Sequence, residues 1–226
     1  MSKRLLLTIG ILGGTGPEGR GLAYRWAKAG YHVVIGSRSP EKAEAAAAAL
    51  NQRLETEQVR GLSNEAAAAQ CDIAVLSVPY EAHRSLLESL RGPLQGKLLV
   101  DVTVPLVPPE VTRVRMPAAG SAAAEAREIL GEGARVAAAL HNVSHVHLLA
   151  DEPVPCDVLV CGVDREARDQ AIKLVEAAGM VAWDAGPLEN AMVVEGLTSV
   201  LLGINKRHRI RSAGIRITGE PKAQTA

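Results

Sequence analysis

Residues 5–39 read LLLTIGILGGTGPEGRGLAYRWAKAGYHVVIGSRS, and this stretch predicts the fold of the chain. The apolar run from Leu5 to Leu12 is typical of a central parallel strand that is buried on both faces. The glycines between Gly14 and Gly19 predict a tight turn into a helix, and Gly30 is placed to end that helix. Residues 31–35 then read as a second strand. Strand, glycine turn, helix and strand form a complete βαβ unit in little more than about 30 residues.

The turn and the tip of the second strand together predict a dinucleotide site. The pattern Gly14-Thr15-Gly16-Pro17-Glu18-Gly19 allows a pyrophosphate to lie on the N-terminus of the helix. In such units an acidic residue about 20 positions farther along accepts the ribose 2′-hydroxyl of NAD, whereas an arginine accommodates the 2′-phosphate of NADP. The second strand ends in Gly36-Ser37-Arg38 and carries no acid at its tip. The sequence therefore predicts NADP(H).

Predicted strands and helices alternate along most of the chain, and this alternation indicates an α/β fold. Helices are expected over 40–50, 64–70, 81–90 and 121–130, and strands over 72–78, 97–104 and 135–140. The arrangement is typical of a Rossmann-type doubly wound parallel sheet, which binds ligands at the carboxyl ends of its strands. We therefore expect Ser77-Val78-Pro79 and Thr103-Val104-Pro105 to face the same crevice as Gly14. The proline-rich segment 105–120 is expected to be an irregular loop over that crevice.

The pattern changes after residue 140. A strand is expected over 157–161, a helix over 165–178, a strand over 181–183 and a long helix over 188–207. We expect residues 1–140 to form the NADP-binding Rossmann domain, and residues 141–226 to form a small C-terminal α/β portion packed against it. The last helix is too apolar to have a single buried face, which predicts a homodimer.

Composition excludes several classes of partner. The chain has 226 residues, with 25 Lys and Arg against 25 Asp and Glu, so it offers no extended basic field for nucleic acid or a membrane surface.

The N-terminal apolar run stops at the glycine turn and has no small-residue cleavage site, unlike a secretory signal. Cys71, Cys156 and Cys161 form no Cys-x-x-Cys pair and lie in or beside apolar runs. This pattern predicts buried free thiols in a cytoplasmic protein.

Few residues that could act as an acid or a base fall in the predicted crevice. His141 directly follows the strand expected over 135–140, so it is the candidate to contact a substrate there. His145 and His147 come next, but at these spacings the three histidines would not lie on one helical face. No Cys, Asp or Glu cluster accompanies them. We therefore expect no metal site. A purely structural role for His141 stays open at this point.

Several segments in this order along the chain resemble the NADPH-dependent F420 reductases, also called coenzyme F420H2:NADP oxidoreductases. The resemblance covers nearly the whole chain, and its most specific elements are the Ser-Arg-x-x-x-Lys and Asp-Ala-Gly-Pro-Leu segments. The matching segments are Gly13-Gly14-Thr15-Gly16-x-x-Gly19-x-Gly21, Gly36-Ser37-Arg38-x-x-x-Lys42, Val78-Pro79-Tyr80, Leu140-His141-Asn142-Val143-Ser144, Asp184-Ala185-Gly186-Pro187-Leu188 and Ala213-Gly214-Ile215-Arg216-Ile217-Thr218.

This resemblance implies a reversible hydride transfer between NADP(H) and coenzyme F420, a deazaflavin that acts as co-substrate. The cofactors carry such chemistry themselves, which suits the scarcity of acid–base groups. The resemblance implies four residues for the 2′-phosphate: Thr15, Ser37, Arg38 and Lys42. It implies that Pro79 and Val104 flank the ribose and nicotinamide. His141 and Val143 would line a deazaflavin pocket that the C-terminal portion closes.

The full set of expected cofactor-binding residues is Gly14, Thr15, Gly16, Pro17, Glu18, Gly19, Ser37, Arg38, Lys42, Ser77, Val78, Pro79, Val104, Ala139, His141 and Val143. His141 is also the expected catalytic residue. Two other functions remain open from the sequence. The chain could be an NADP-dependent reductase of an imine or a hydroxy acid on the same fold, or a non-catalytic module that senses NADPH.

Overall fold

The computed structural model of the chain describes residues 7–219. The strands of this part are β1 (Thr8–Leu12), β2 (His32–Ser37), β3 (Val59–Ser63), β4 (Ile73–Leu76), β5 (Leu98–Asp101), β6 (Arg135–Ala138), β7 (Asp157–Gly162) and β8 (Val181–Pro187). The α-helices are α1 (Pro17–Lys28), α2 (Pro40–Leu54), α3 (Asn64–Gln70), α4 (Tyr80–Leu90), α5 (Ala122–Leu130), α6 (Arg165–Ala177) and α7 (Ala191–His208). Short 3₁₀ turns cover His145–His147 and Leu188–Asn190.

All these strands form one sheet in the order β3-β2-β1-β4-β5-β6-β7-β8. Strands β1 to β6 are parallel, β7 is antiparallel to β6, and β8 is parallel to β7. One apolar cluster lies between the sheet and α1, α2 and α6, and a second lies on the other face with α3, α4, α5 and the start of α7. The predicted α/β, doubly wound architecture is confirmed. Strands β7 and β8 extend the sheet formed by β1 to β6, so the described part of the C-terminal portion belongs to the same sheet.

The sequence-based prediction missed β3 altogether. This strand reads Val-Arg-Gly-Leu-Ser, and it lies at the edge of the sheet, paired with β2 alone. The start of the last helix was predicted too early, because Leu188–Asn190 forms a 3₁₀ turn before α7 begins. Strand β8 continues to Pro187, beyond the predicted end. Segment 105–120 contains no helix or strand, as expected.

Side-chain caps fix the starts of several helices that follow strands or loops. The Ser39 hydroxyl accepts a hydrogen bond from Lys42 N–H at the start of α2, at 3.4 Å. Ser63 does the same for Ala66 at the start of α3, at 3.2 Å. Each cap satisfies an N–H group that the first helical turn leaves free. Helices α2 and α3 thus begin at the carboxyl edge of the sheet, where β2 and β3 end.

Candidate functional site

The glycine turn holds the N-terminus of α1 directly against the end of β1. Gly13 has a φ of +74° and donates its N–H to Asn64 Oδ1, at 2.9 Å. Gly14 N–H donates to the Gly36 carbonyl, at 3.0 Å. A Cβ on Gly19 would lie 2.5 Å from Gly14 Cα, so only a glycine allows the helix to start this close. Sequence reasoning missed Asn64, whose role depends on β3 bringing α3 beside the turn.

The first turn of α1 leaves N–H groups available to a ligand. Its N-cap is Gly16, and no side chain from the described part of the molecule caps the helix. Pro17 occupies the first helical position, where a missing N–H costs nothing. An uncapped helix N-terminus favours a bound anion through its free N–H groups and its dipole.

A cavity of about 520 Å³ lies between this turn, the tip of β2 and α4. One end presents two cationic side chains, Arg38 and Lys42, together with hydroxyl groups. None of its lining residues within 7–219 is acidic. This end is therefore suited to a phosphate group. The lining residues are Gly13, Thr15, Gly16, Ser37, Arg38, Ser39, Lys42, Asn64, Ser77, Val78, Pro79, Ala82, Ser85, Leu86 and Ser89.

A second cavity, of about 680 Å³, adjoins the first and shares Gly16 and residues 77–79 with it. Its walls are mostly apolar, and many of them come from the segment that follows the C-terminal end of β5. The complete lining is Gly16, Pro17, Glu18, Ser77, Val78, Pro79, Tyr80, Glu81, Val102, Thr103, Val104, Leu106, Val107, Pro108 and Val111. The structure thus places residues 77–79 and 103–104 at one crevice. Pro105, which was also expected to face the crevice, is buried outside this lining, and Gly14 and Gly19 are buried within the turn.

Glu18 is an unusual member of this apolar lining. Its Oε1 is buried and has no hydrogen-bond partner among the described residues, although the residue as a whole is partly exposed. Burial raises the pKa of Glu18 to about 8. Burial therefore favours the neutral, protonated carboxyl group at pH 7, which limits the negative charge in the cavity.

A buried ionic network lies behind the second cavity. His83 Nε2 lies 2.7 Å from Asp101 Oδ2, and His83 Nδ1 lies 3.2 Å from Glu125 Oε2. Burial alone would lower the pKa of His83, but the two carboxylates hold it above its ordinary value. Asp101 Oδ1 also accepts a hydrogen bond from Thr103 N–H, at 2.9 Å. The network therefore fixes the segment that forms one wall of the cavity. Sequence analysis gave His83 no function.

The predicted residues Ala139, His141 and Val143 are buried and line neither cavity. Leu140 has a φ of +70°, so the chain turns sharply after β6 and carries His141 inward. Both ring nitrogens of His141 are buried without a hydrogen-bond partner in the described structure. Burial lowers the pKa of His141 to about 4, which leaves a neutral imidazole. The roles of these three residues stay predictions.

Other sequence-based expectations concern the thiols, metals and membranes. Cys71, Cys156 and Cys161 are buried and unpaired, which confirms the prediction of buried free thiols. Within residues 7–219, no three His, Cys, Asp or Glu side chains are grouped closely enough to hold a metal ion. None of the helices built by this part of the chain combines the length and the apolar character that a membrane span requires.

Comparison with known proteins finds relatives along nearly the whole chain. Residues 8–105 match the family model described as NADP oxidoreductase, coenzyme F420-dependent. The chain is 42% identical over 232 residues to the F420-dependent NADP reductase of Methanothermobacter thermautotrophicus, covering 99% of this chain and 100% of the relative. It is 41% identical over 221 residues to the F420-dependent NADP reductase of Methanocaldococcus jannaschii, covering 94% and 98% of the two chains. The chain belongs to the F420-dependent NADP reductase family.

Membership of this family confirms the resemblance found in the sequence, and it favours that function over the two alternatives left open there. A crystal structure of an Arthrobacter sp. FB24 protein at 1.70 Å resolution shares the fold, with a TM-score of 0.78 and 22% identity. The similarity covers 94% of this chain and 100% of the other. The two chains therefore share one fold along nearly their whole lengths.

The neutral, buried state of His141 gives a testable dependence of stability on pH. An unfolded histidine has a pKa of about 6.5, whereas the pKa of His141 in the folded protein is about 4. The unfolded chain therefore binds the proton first, and this site costs stability as the pH falls from about 6.5 to about 4. Between pH 7 and pH 4.5, the free energy of unfolding should therefore fall by about 2 kcal/mol less in the His141→Asn variant than in the wild type.

Urea denaturation at the two pH values measures this difference. His32→Asn serves as the matched control, because His32 is exposed at the start of β2 and should leave the acid dependence unchanged. Equal losses of stability in His141→Asn and wild type would show that His141 is not the buried neutral group that the structure describes.

Proposed function

We propose that the two adjoining cavities hold NADP(H) and coenzyme F420, between which the enzyme transfers a hydride reversibly. The observation that carries the proposal is one continuous crevice with cations at one end and apolar walls at the other. It occurs in a chain that is 42% identical, along almost its full length, to an F420-dependent NADP reductase.

The first cavity fits the adenosine side of NADP(H). Arg38 and Lys42 carry the positive charge that a 2′-phosphate requires, and Thr15 and Ser37 add hydroxyl groups beside them. A guanidinium donates paired hydrogen bonds to phosphate oxygens, which makes such contacts stronger than neutral ones. The pyrophosphate would lie on the free N–H groups at the start of α1.

The second cavity fits two flat rings. The nicotinamide and the deazaflavin supply the redox chemistry when they are bound. The protein then has to orient them and exclude water, and apolar walls such as Val78, Pro79 and Val104 do both. The expected contact between His141 and the deazaflavin would require the buried imidazole to become accessible on binding, since His141 lines neither cavity in this structure.

The C-terminal portion, residues 141–226, would help to close this cavity through the loop 105–120. Helix α7 packs on that loop, since a Cβ on Gly196 would lie 3.1 Å from Val114 Cγ1. Thr198 Oγ1 also donates to the His141 carbonyl, at 2.7 Å. Both contacts connect α7 to the segments proposed to surround the deazaflavin.

We expect the protein to reduce coenzyme F420 with NADPH. Mixing the enzyme with NADPH and oxidised coenzyme F420 should bleach the visible absorbance of the deazaflavin, because its ring is reduced by hydride transfer. A spectrophotometer follows the reaction directly, with the heat-denatured protein as control. Absence of bleaching at millimolar NADPH would contradict the proposed function.

Arg38 tests the assignment of the phosphate end. The Arg38→Ala variant loses a charge-assisted contact worth about 1.5–3 kcal/mol, so its KM for NADPH should rise about 10- to 100-fold. The KM for NADH should change little, since NADH lacks the 2′-phosphate. Steady-state kinetics with coenzyme F420 and either nucleotide measures both values.

Arg165→Ala is the control for loss of a surface arginine, because Arg165 is exposed on α6 and contacts Asp169. Its KM values should match those of the wild type. Equal changes for NADPH and NADH in Arg38→Ala would count against a phosphate contact.

We further propose a cytoplasmic homodimer. Three buried reduced thiols suit a reducing compartment. Exposed apolar side chains on α7, namely Met192, Val193 and Val200, offer a face for a second copy. Sedimentation velocity at micromolar concentration should therefore give the mass of two chains, and Val193→Glu should shift the species toward the monomer. A wild type that sediments as a single chain would contradict the dimer.

A further inference from the structure

Glu18 is placed where the charge of a bound nicotinamide would act on it. It is the second residue of α1 and lines the apolar cavity together with Gly16 and Pro17, which form the turn under the pyrophosphate. Its Oε1 is buried and has no partner in the described part of the chain. A buried carboxyl group without a partner can lose its proton when a positive charge binds beside it.

Within residues 7–219, no positively charged side chain pairs with Glu18. Burial is the cause of its raised pKa, and within residues 7–219 no ion pair or hydrogen bond engages its side chain. Burial keeps the thiol of neighbouring Cys156 neutral by raising its pKa to about 11. Burial likewise raises the pKa of Tyr80, across the cavity, to about 12. Glu81 is the other acidic residue on the cavity lining. Helix α1 itself carries Arg20, Tyr24, Arg25 and Lys28, and the segments packed against it carry Arg53, His145, His147 and Asp151. Arg216 and Asp157 lie close enough to act on the neighbouring Cys156 thiol.

We propose that Glu18 couples the redox state of the bound nucleotide to a proton: it stays neutral beside NADPH and releases its proton to solvent when NADP⁺ is bound. This inference rests on the proposed function, because it places the nicotinamide in the second cavity. The oxidised ring carries a formal positive charge, and the reduced ring carries none. In a cavity of low dielectric constant, the positive ring stabilises a carboxylate strongly.

The phosphates of the nucleotide do not change the difference between NADPH and NADP⁺ in their effect on Glu18. Their negative charges oppose ionisation of Glu18, but they are the same in NADPH and NADP⁺. A comparison of the two nucleotides therefore isolates the charge of the ring. By linkage, the affinity for NADP⁺ relative to that for NADPH must rise with pH through the range in which Glu18 titrates.

Calorimetric titration of the full-length protein tests the proposal without turnover. NADP⁺ and NADPH are each titrated at pH 7.5 in phosphate and in Tris, whose different ionisation enthalpies give the number of protons released on binding. We expect the wild type to release a larger fraction of a proton with NADP⁺ than with NADPH. The ratio of the two Kd values should shift by up to about tenfold in favour of NADP⁺ between pH 6.5 and pH 8.5.

The Glu18→Gln variant keeps the shape and polarity of the side chain but cannot ionise, so the difference between the nucleotides should vanish. Glu81→Gln is the matched control on the same cavity, and it should keep the wild-type difference. Glu18→Leu provides a second non-ionising variant if the glutamine variant folds poorly.

Equal proton release for both nucleotides in the wild type, or an unchanged difference in Glu18→Gln, would overturn this inference while leaving the proposed function intact. Failure of the wild type to bind either nucleotide would overturn both.

Discussion

The contact between Gly14 and Gly19 determines where every other part of the site can lie. Because neither residue has a side chain, α1 begins against the end of β1 and its free N–H groups point at the crevice. Asn64, at the start of α3, holds the same turn from the other side through Gly13. A side chain at Gly19 would push α1 away from the sheet. Glu18 would then leave the cavity wall, and the proposed pyrophosphate site would be lost.

A second constraint operates at the end of β5, where Asp101 links His83 to Thr103 N–H. Burying several ionised groups is costly, and it is tolerated only when they compensate one another. Here Glu125 lies between His83 and the exposed Arg84, so the charges are paired from the interior to the surface. The network therefore orders the 102–104 segment while keeping its own charges out of the cavity that this segment lines. Removing one member would leave the others buried and unpaired, so the wall and the network depend on each other.

The sequence was most informative where a residue type alone dictates local conformation or charge. The glycine turn and the Ser37-Arg38 tip were both predictable because each depends on neighbouring residues. Strand β3 was not, because its short polar pattern becomes a strand only by pairing with β2. The partners of His83 are 18 and 42 positions away in the chain, so only the folded sheet brings them together. The sequence placed His141 at the crevice mouth, but it could not show the positive φ of Leu140, which turns the imidazole inward.

Under the proposed function, the two cavities divide binding from chemistry. Positive charge is concentrated at Arg38 and Lys42 in the first cavity. In the proposed arrangement these residues lie far from the reacting ring, so binding energy gained there would hold the ring without altering its electronics. Around the ring, the described walls are apolar or neutral at pH 7, apart from the exposed Glu81. A hydride transfer changes the charge of the nicotinamide from zero to plus one, and apolar walls cannot respond to that change. A buried acid on the same wall can respond, since losing its proton supplies the missing negative charge. For this reason the position of Glu18 concerns the reaction itself as well as the shape of the cavity.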